Sequence, residues 1–111
     1  MRKTVFVAGF SLFASHAVAA TVKIENKTSL QIHGVYLAPS IDNDWGYDRL
    51  GDDILEPGNQ LTLTDVKPGK WKLRLIDEDE DECIGKDQKI VLSTSFAISD
   101  DDFLECRELA R

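Results

Sequence analysis

The sequence predicts a small all-β protein, and three observations support that prediction. Short segments such as "TVKIEN" (21–26) and "QLTLTDV" (60–66) alternate apolar and polar residues, which is the period of a strand with one buried face. The turn signals "EPGN" and "KPGK" separate such segments, and turn signals recur at intervals of roughly ten residues. About six to seven short strands in this arrangement favour a small β-sandwich of the immunoglobulin-like kind with a short C-terminal helical turn.

The strands are predicted in the following order. After the strand at 21–26 and the turn "NKTS", a second strand spans Leu30–Ala38, and Pro39 ends it. Its latter half is apolar on both faces, which is expected for a central strand covered on each side. The segments "QLTLTDV" and "WKLRLI" (71–76), joined by "KPGK", are predicted to pair as a hairpin. Two further short strands are "KIVLS" (89–93) and "TSFAI" (94–98).

The C-terminal segment "SDDDFLECRELAR" (99–111) is predicted to begin with a helical turn. Ser99 can cap the helix, and Asp100–Asp102 lie in the first turn, where the helix dipole favours negative charge. Arg107 and Arg111 lie near its other end.

The N-terminus is predicted to be a cleaved signal peptide. Arg2 and Lys3 precede an apolar run, and small residues follow it, so cleavage after Ala19 or Ala20 satisfies the small-x-small pattern. The apolar run is about half of the roughly 20 residues that span a bilayer, which argues against a membrane anchor. We therefore expect a signal peptide at 1–20, one β-sandwich domain at 21–111, and export to the periplasm or the medium.

The charge of the chain favours some partners over others. The net charge is −7, and removal of Arg2 and Lys3 leaves 11 basic against 20 acidic residues, a net charge of −9. Such a chain repels nucleic acid and anionic membrane surfaces and attracts a basic protein or a divalent cation. We expect a protein partner with a basic surface, no nucleic acid, no membrane insertion and no cofactor.

Cys83 and Cys106 are the only cysteines, and an even number in an exported chain favours a disulfide. The alternatives are a metal thiolate pair, which lacks further Cys or His ligands, and a nucleophile, which lacks a base because His33 is the only histidine after the signal peptide. In the chain-entropy model this disulfide would stabilise the fold by on the order of 3 kcal/mol.

The acidic run "DEDEDE" leaves three interpretations open: a solvated loop, a contact surface for a basic partner, or a metal site. In an extended turn, alternate side chains point the same way, so Asp77, Asp79 and Asp81 would converge. The candidate contact residues are Asp77, Glu78, Asp79, Glu80, Asp81 and Glu82.

The segment "DNDWGYDRLGDD" (42–53) is predicted to be a structural loop. Trp45 would plug one end of the sandwich, and Asp42, Asp44 and Asp48 would solvate the loop or satisfy its backbone amides. A calcium site is the alternative, although no glutamate ends a twelve-residue frame begun at Asp42, as an EF-hand requires. The residues of this loop are Asp44, Trp45, Gly46, Asp48, Leu50 and Gly51.

The stretches "IENKTSLQIHGVYLAPS", "DWGYDRLGDDILEPG", "GKWKLRLIDEDEDEC" and "ISDDDFLEC" occur in an order that resembles a family of small exported bacterial β-sandwich proteins. That family has a Trp-Gly-x-Asp-x-Leu-Gly loop and a paired cysteine, and most of its members have no assigned function. The resemblance implies the fold and the compartment and says little about activity. The long acidic run before Cys83 departs from the family pattern.

Three function hypotheses follow from these observations. The first is a non-enzymatic, exported binding protein, of which an inhibitor or immunity protein for a basic enzyme is one concrete version. The second is a calcium-dependent module, motivated by the two acidic loops. The third is a small hydrolase with paired carboxylates, for which a chain of this size offers little cleft. The first hypothesis is favoured because no nucleophile–base or acid pair has a recognisable spacing.

Overall fold

A computed structural model describes residues 19–85 and 87–103 and shows a mostly β protein with seven strands in two sheets in this part of the chain. The small β-sandwich and the helical turn at 100–103 confirm the predicted fold class. None of the described residues belongs to a helix long and apolar enough to cross a membrane. Most of the predicted signal peptide, together with Cys106, Arg107 and Arg111, lies outside the described residues. The strands are β1 (Ala20–Lys27), β2 (Ile32–Pro39), β3 (Gln60–Val66), β4 (Gly69–Asp77), β5 (Glu82–Ile84), β6 (Gln88–Ile90) and β7 (Thr94–Ser99).

The three-stranded sheet has the order β3-β1-β7. β1 is antiparallel to β3, with Val22 opposite Leu63, and parallel to β7, with Ile24 opposite Phe96. Val22 and Ile24 are fully buried, whereas Lys23 between them is exposed. The alternation read from "TVKIEN" therefore places one face of β1 in the core.

The four-stranded sheet is built around β4. β2 pairs with one edge of β4, and β5 and β6 pair with different parts of the other edge. Between β5 and β6 the register against β4 shifts by one residue, and the N–H of Gly85 donates to the carbonyl of Leu73 at 2.7 Å. β5 and β6 thus pair with the same edge of β4, and an irregularity of the β-bulge type separates them.

The core lies between the two sheets and forms one apolar cluster. Both sheets contribute buried aliphatic side chains, and Leu50, Leu55 and Phe103 enter the cluster from segments outside the sheets. The other buried members are Ala20, Val22, Ile24, Ile32, Val35, Leu37, Leu63, Val66, Leu73, Leu75, Cys83, Ile90 and Ile98.

The predicted hairpin between 60–66 and 71–76 is wrong. β3 pairs with β1 in one sheet, and β4 pairs with β2, β5 and β6 in the other. Gly69 has a φ of 155°, and the short connection carries the chain from one sheet to the other. The apolar faces of the two strands therefore meet across the core, where Leu63 and Leu73 are both buried, rather than side by side.

The prediction that the second strand is central is also wrong, because β2 lies at the edge of its sheet. Residues 48–55 cover that edge. The N–H of Val35 donates to Asp48 Oδ1 at 3.0 Å, the N–H of Arg49 donates to the carbonyl of Val35 at 2.7 Å, and Ile32 forms a bridge with Leu55. The polar groups of an edge strand must be satisfied or covered, and this loop does so.

Tyr36 and Ile76 lie close to Gly34 on β2. A Cβ atom added to Gly34 would lie 3.3 Å from Cε1 of Tyr36 and 3.4 Å from Cβ of Ile76. A side chain at position 34 would therefore require Tyr36 or Ile76 to shift by a few tenths of an ångström. The contacts with these two side chains account for the burial of Gly34.

Several local predictions hold, and one strand was missed. In the "EPGN" turn the N–H of Asn59 donates to the carbonyl of Glu56 at 3.0 Å, and Gly58 has a φ of 89°, as a type II turn requires at its third position. β5 was not predicted because its three residues follow a charged run with no visible alternation. The strand predicted at 89–93 ends at Ile90, and Val91 and Leu92 are exposed.

Candidate functional site

The acidic segments of the chain meet at one end of the sandwich, which we call the acidic end. It is the end at which β1, β4 and β7 finish and β2, β3 and β5 begin. Three segments that are distant in sequence bring carboxylates there. These segments are 52–56, 77–82 and 100–102.

Gln31, in the connection between β1 and β2, joins two of these segments. Its N–H donates to Glu78 Oε1 at 2.8 Å, and its carbonyl accepts the N–H of Glu78 at 2.9 Å. Its side-chain nitrogen donates to Glu56 Oε1 at 3.1 Å. Its side-chain oxygen lies 3.0 Å from Nε2 of the exposed His33. One neutral residue thus binds two carboxylates, Glu78 through its backbone N–H and Glu56 through its side-chain amide.

Ser29 joins the third segment to the same connection. Its N–H and its hydroxyl donate to Asp100 Oδ1 at 2.9 and 3.0 Å. Asp102 has a different role, since its Oδ2 accepts the N–H of Ser99 at 2.7 Å and caps the helical turn, as an acidic residue at the third helical position does in a capping box. Asp101 is exposed.

Asp77 organises the acidic turn from inside the protein. Its side chain is fully buried, and its Oδ1 accepts the backbone N–H groups of Asp79 and Asp81, each at 2.9 Å. The backbone closes the same turn, because the N–H of Asp77 donates to the carbonyl of Asp81 at 3.0 Å. Glu80 has a φ of 64°, a left-handed conformation that the turn imposes on a non-glycine residue.

The six acidic residues of the run therefore have different environments. Asp77 is buried, Glu78 accepts the N–H of Gln31, and Glu82 forms an ion pair with Arg74. Asp79 and Glu80 are exposed, and Asp81 is half-buried. Hence the run is not a uniform surface, and Asp77 is not placed to contact a partner.

The predicted convergence of Asp77, Asp79 and Asp81 is present. One carboxylate oxygen from each lies within 4.8 Å of the others. The hydrogen bonds from the turn to Asp77 account for this convergence without an ion. Three carboxylates would supply part of the six to eight oxygen ligands that calcium takes.

The loop at 42–53 shows structural contacts for its aspartates. Asp44 Oδ1 accepts the N–H of Gly46 at 2.9 Å, and Asp48 Oδ1 accepts the N–H of Leu50 at 3.0 Å as well as that of Val35. Gly46 and Gly51 have φ angles of 76° and 62°, which glycine adopts without strain. Asp44 and Asp48 thus satisfy backbone amides, which is one of the two roles predicted for the aspartates of this loop.

Trp45 does not occupy the position expected of a plug in the core. Its ring is half-buried and lies 4.5 Å from Nζ of Lys72, which also donates to the carbonyl of Asp42 at 2.5 Å. Leu50, 7% exposed, is the residue of this loop that enters the apolar cluster. Trp71 packs against the cluster, and its indole N–H donates to the carbonyl of Lys67 at 2.8 Å.

The structure does not describe Cys106, one of the two cysteines of the predicted disulfide. Cys83 is buried, and its Sγ lies 3.7 Å from the carbonyl oxygen of Asp102. The sulfur therefore faces the segment that leads to Cys106. The disulfide itself stays a prediction.

The sequence did not reveal that Glu56 and Asp100 lie at the same end of the sandwich as the acidic run. The signal that could have shown it is position, because each acidic segment lies where a predicted strand begins or ends. Antiparallel strands place alternate connections at the same end of a sandwich.

Comparisons of the chain with protein-family models, with curated proteins and with solved structures found no match.

Proposed function

We propose that the protein is an exported, non-enzymatic binding protein whose acidic end docks on a basic surface of a partner protein. The observation that supports this proposal is the convergence of three acidic segments on one end of the sandwich, where Gln31 and Ser29 hold them. The exposed carboxylates available for contact are Asp52, Asp53, Asp79, Glu80 and Asp101.

The mechanism is electrostatic steering. Nearby charges of one sign raise the rate at which an oppositely charged partner finds the surface, and they affect dissociation less. Screening is strong beyond about 8 Å at physiological ionic strength, so association should slow as salt rises. If the partner is a basic enzyme whose active site this end covers, the protein acts as an inhibitor or an immunity protein.

The test uses two triple variants with the same change in net charge. One carries D79N, E80Q and D101N at the acidic end, and the control carries D42N, D65N and D87N at exposed positions elsewhere. Both variants and the wild-type protein are used as bait in a periplasmic extract, and the rates of association with the captured protein are then measured against salt.

We expect the wild-type and control proteins to capture a basic protein that the acidic-end variant loses, with a slower association rate for that variant. The proposal would be refuted if the protein whose capture the acidic-end variant loses were acidic. Equal capture and equal rates for the two variants would also refute it.

Export has a separate test. Ala20 is 2% exposed and pairs with Val66 at the start of β1, so cleavage after Ala19 preserves this pair whereas cleavage after Ala20 removes it. We expect the secreted protein to begin at Ala20, as determined by N-terminal sequencing. An intact Met1 on the cellular protein would contradict export by a cleaved signal.

Calcium binding is the second candidate function, and the proximity of the Asp77, Asp79 and Asp81 carboxylates favours it. Bound calcium would raise the melting temperature by mass action. D79N and D81N should abolish that rise, whereas the control triple variant should retain it. Calorimetry that detects no heat of binding at about 1 mM calcium, near the weak limit of extracellular calcium modules, would exclude this function.

A further inference from the structure

The outer side of the four-stranded sheet carries a group of cations on an otherwise acidic protein. Lys70, Lys72 and Arg74 alternate along β4 with Trp71 and Leu73, which face the core, so the three cations point away from it. Lys89 on β6 is the cross-strand neighbour of Lys70. We call this surface the cationic face, and it comprises Tyr36, Lys70, Lys72, Arg74, Ile84 and Lys89.

Most of its positive charge is not neutralised within the part of the chain that the structure describes. Arg74 pairs with Glu82, but Lys70, Lys72 and Lys89 make no ion pair with a described carboxylate. Lys70 and Lys89 are both exposed and directly opposite each other. Like charges in that relationship destabilise a sheet, and a bound anion would relieve the repulsion.

Aromatic and apolar side chains lie among these cations. The guanidinium of Arg74 lies 4.9 Å from the ring centre of Tyr36, and the ammonium of Lys72 lies over the ring of Trp45. Ile84, the cross-strand neighbour of Arg74, is 52% exposed. Tyrosine, tryptophan and arginine are the residues most enriched at the energetic centres of protein interfaces.

We propose that the cationic face binds an acidic, extended segment of a partner protein. Alternate residues of β4 lie about 6.6–6.8 Å apart along the strand, and alternate carboxylates of an extended peptide have the same spacing. Such a segment can place successive acidic side chains against Lys70, Lys72 and Arg74. The methylene groups of those side chains lie against Tyr36 and Ile84, and the residues between them point away from the face.

Charge also favours this occupant over a long polyanion. The chain as a whole has a net charge of −7, so a nucleic acid or an acidic polysaccharide that extends beyond the face is repelled by the rest of the surface. A short acidic segment of a protein contacts only the cationic face and therefore avoids this repulsion. This contact does not depend on the acidic end, and the two surfaces can be tested separately.

The test measures the binding of a blocked, fluorescently labelled peptide of alternating Glu and Thr residues at about 20 mM salt, where screening is weak. A Gln-Thr peptide is the neutral reference. The K70Q/K89Q variant removes the opposed lysines, and K23Q/K27Q, which removes two exposed lysines from β1, is the matched control.

We expect wild-type protein to bind the Glu-Thr peptide and not the Gln-Thr peptide. K70Q/K89Q should bind roughly five- to tenfold more weakly, as expected for the loss of two exposed charge contacts. K23Q/K27Q should be unchanged. Removal of the repulsion should leave the melting temperature of K70Q/K89Q equal to or above that of the wild type, which confirms that the variant folds.

Three results would overturn the proposal. The first is no binding of the Glu-Thr peptide to wild-type protein at about 1 mM, the weak end of specific binding. The second is an equal loss in the two lysine variants. The third is a preference for another occupant of the same lysines, shown by tighter binding of a heparin fragment or oligonucleotide, or by self-association that K70Q/K89Q abolishes.

Discussion

The side-chain amide of Asn26 donates a hydrogen bond of 2.9 Å to the carbonyl oxygen of Leu55, which lies 29 residues later in the chain. The same amide donates to the carbonyl of Leu30 at 2.8 Å, and Asn26 Oδ1 accepts the N–H of Thr28 at 2.9 Å. Asn26 is fully buried. It thus connects the end of β1 to the turn that follows it and to the segment that covers the edge of β2.

Replacement of Asn26 by alanine should strongly destabilise the protein. The variant removes the hydrogen bonds from the amide to the carbonyls of Leu30 and Leu55 and those that Asn26 Oδ1 accepts from the N–H and hydroxyl of Thr28. Each such bond contributes about 0.5–1.5 kcal/mol, and the buried N–H of Thr28 loses its acceptor. We expect the free energy of unfolding in urea to fall by about 3 kcal/mol or more. Asn43→Ala, at an exposed position, is the control and should change it by less than about 0.5 kcal/mol. Equal effects of the two variants would contradict this role.

Replacement of Asp77 should show whether this side chain stabilises the acidic turn through its hydrogen bonds or only contributes negative charge. Asp77→Ala removes the acceptor of two backbone N–H groups, and we expect a loss of about 2–4 kcal/mol in the free energy of unfolding. Asp77→Asn keeps an acceptor oxygen and should cost less. Asp79→Ala, which removes an exposed carboxylate, should change stability by about 0.5 kcal/mol at most. If Asp79→Ala is as harmful as Asp77→Ala, the turn is not organised by Asp77.

The disulfide prediction can be tested without reference to partners. Unreduced purified protein should show no thiol that reacts with a labelling reagent, whereas reduced and unfolded protein should show two. Cys106→Ser should lower the free energy of unfolding by about 2–5 kcal/mol, as in small exported domains that lose a native disulfide. Labelling of both cysteines in the unreduced protein would refute the pairing.

The strands were predictable where one face is buried, because alternation then appears in the sequence. β3 was predicted with its observed bounds, Gln60–Val66, and β1 extends only one residue beyond the prediction at each end. The pairing of strands was not predictable by the same means. Alternation shows that Leu63 and Leu73 face a core, but a short turn between two such strands fits both a hairpin and a crossing between sheets.

The acidic end was only partly predictable for a related reason. The run at 77–82 is visible as composition, and the convergence of Asp77, Asp79 and Asp81 followed from local geometry. The burial of Asp77 was not visible, because it depends on the backbone of the turn folding over its carboxylate. The contribution of Glu56 depends on Gln31, which no charge pattern indicates.

The two tryptophans should contribute differently to stability, although both are half-buried. Trp71 packs on the apolar cluster and donates to the carbonyl of Lys67. Trp71→Ala should therefore cost about 3 kcal/mol, near the lower limit for aromatic-to-alanine changes in a core. Trp45 lies against Lys72, outside the cluster. Trp45→Ala should cost about 1 kcal/mol, the scale of an exposed cation–π contact with its local packing.

A double-mutant cycle of Trp45→Ala and Lys72→Gln, measured by urea unfolding, distinguishes this contact from packing. A cation–π contact predicts a coupling energy of about 0.5–1 kcal/mol between the two positions. Trp45→Phe is the matched control, since it keeps an aromatic face under the ammonium and should retain part of the coupling. A cost for Trp45→Ala equal to that of Trp71→Ala, with no coupling to Lys72, would instead make the indole a plug of the sandwich.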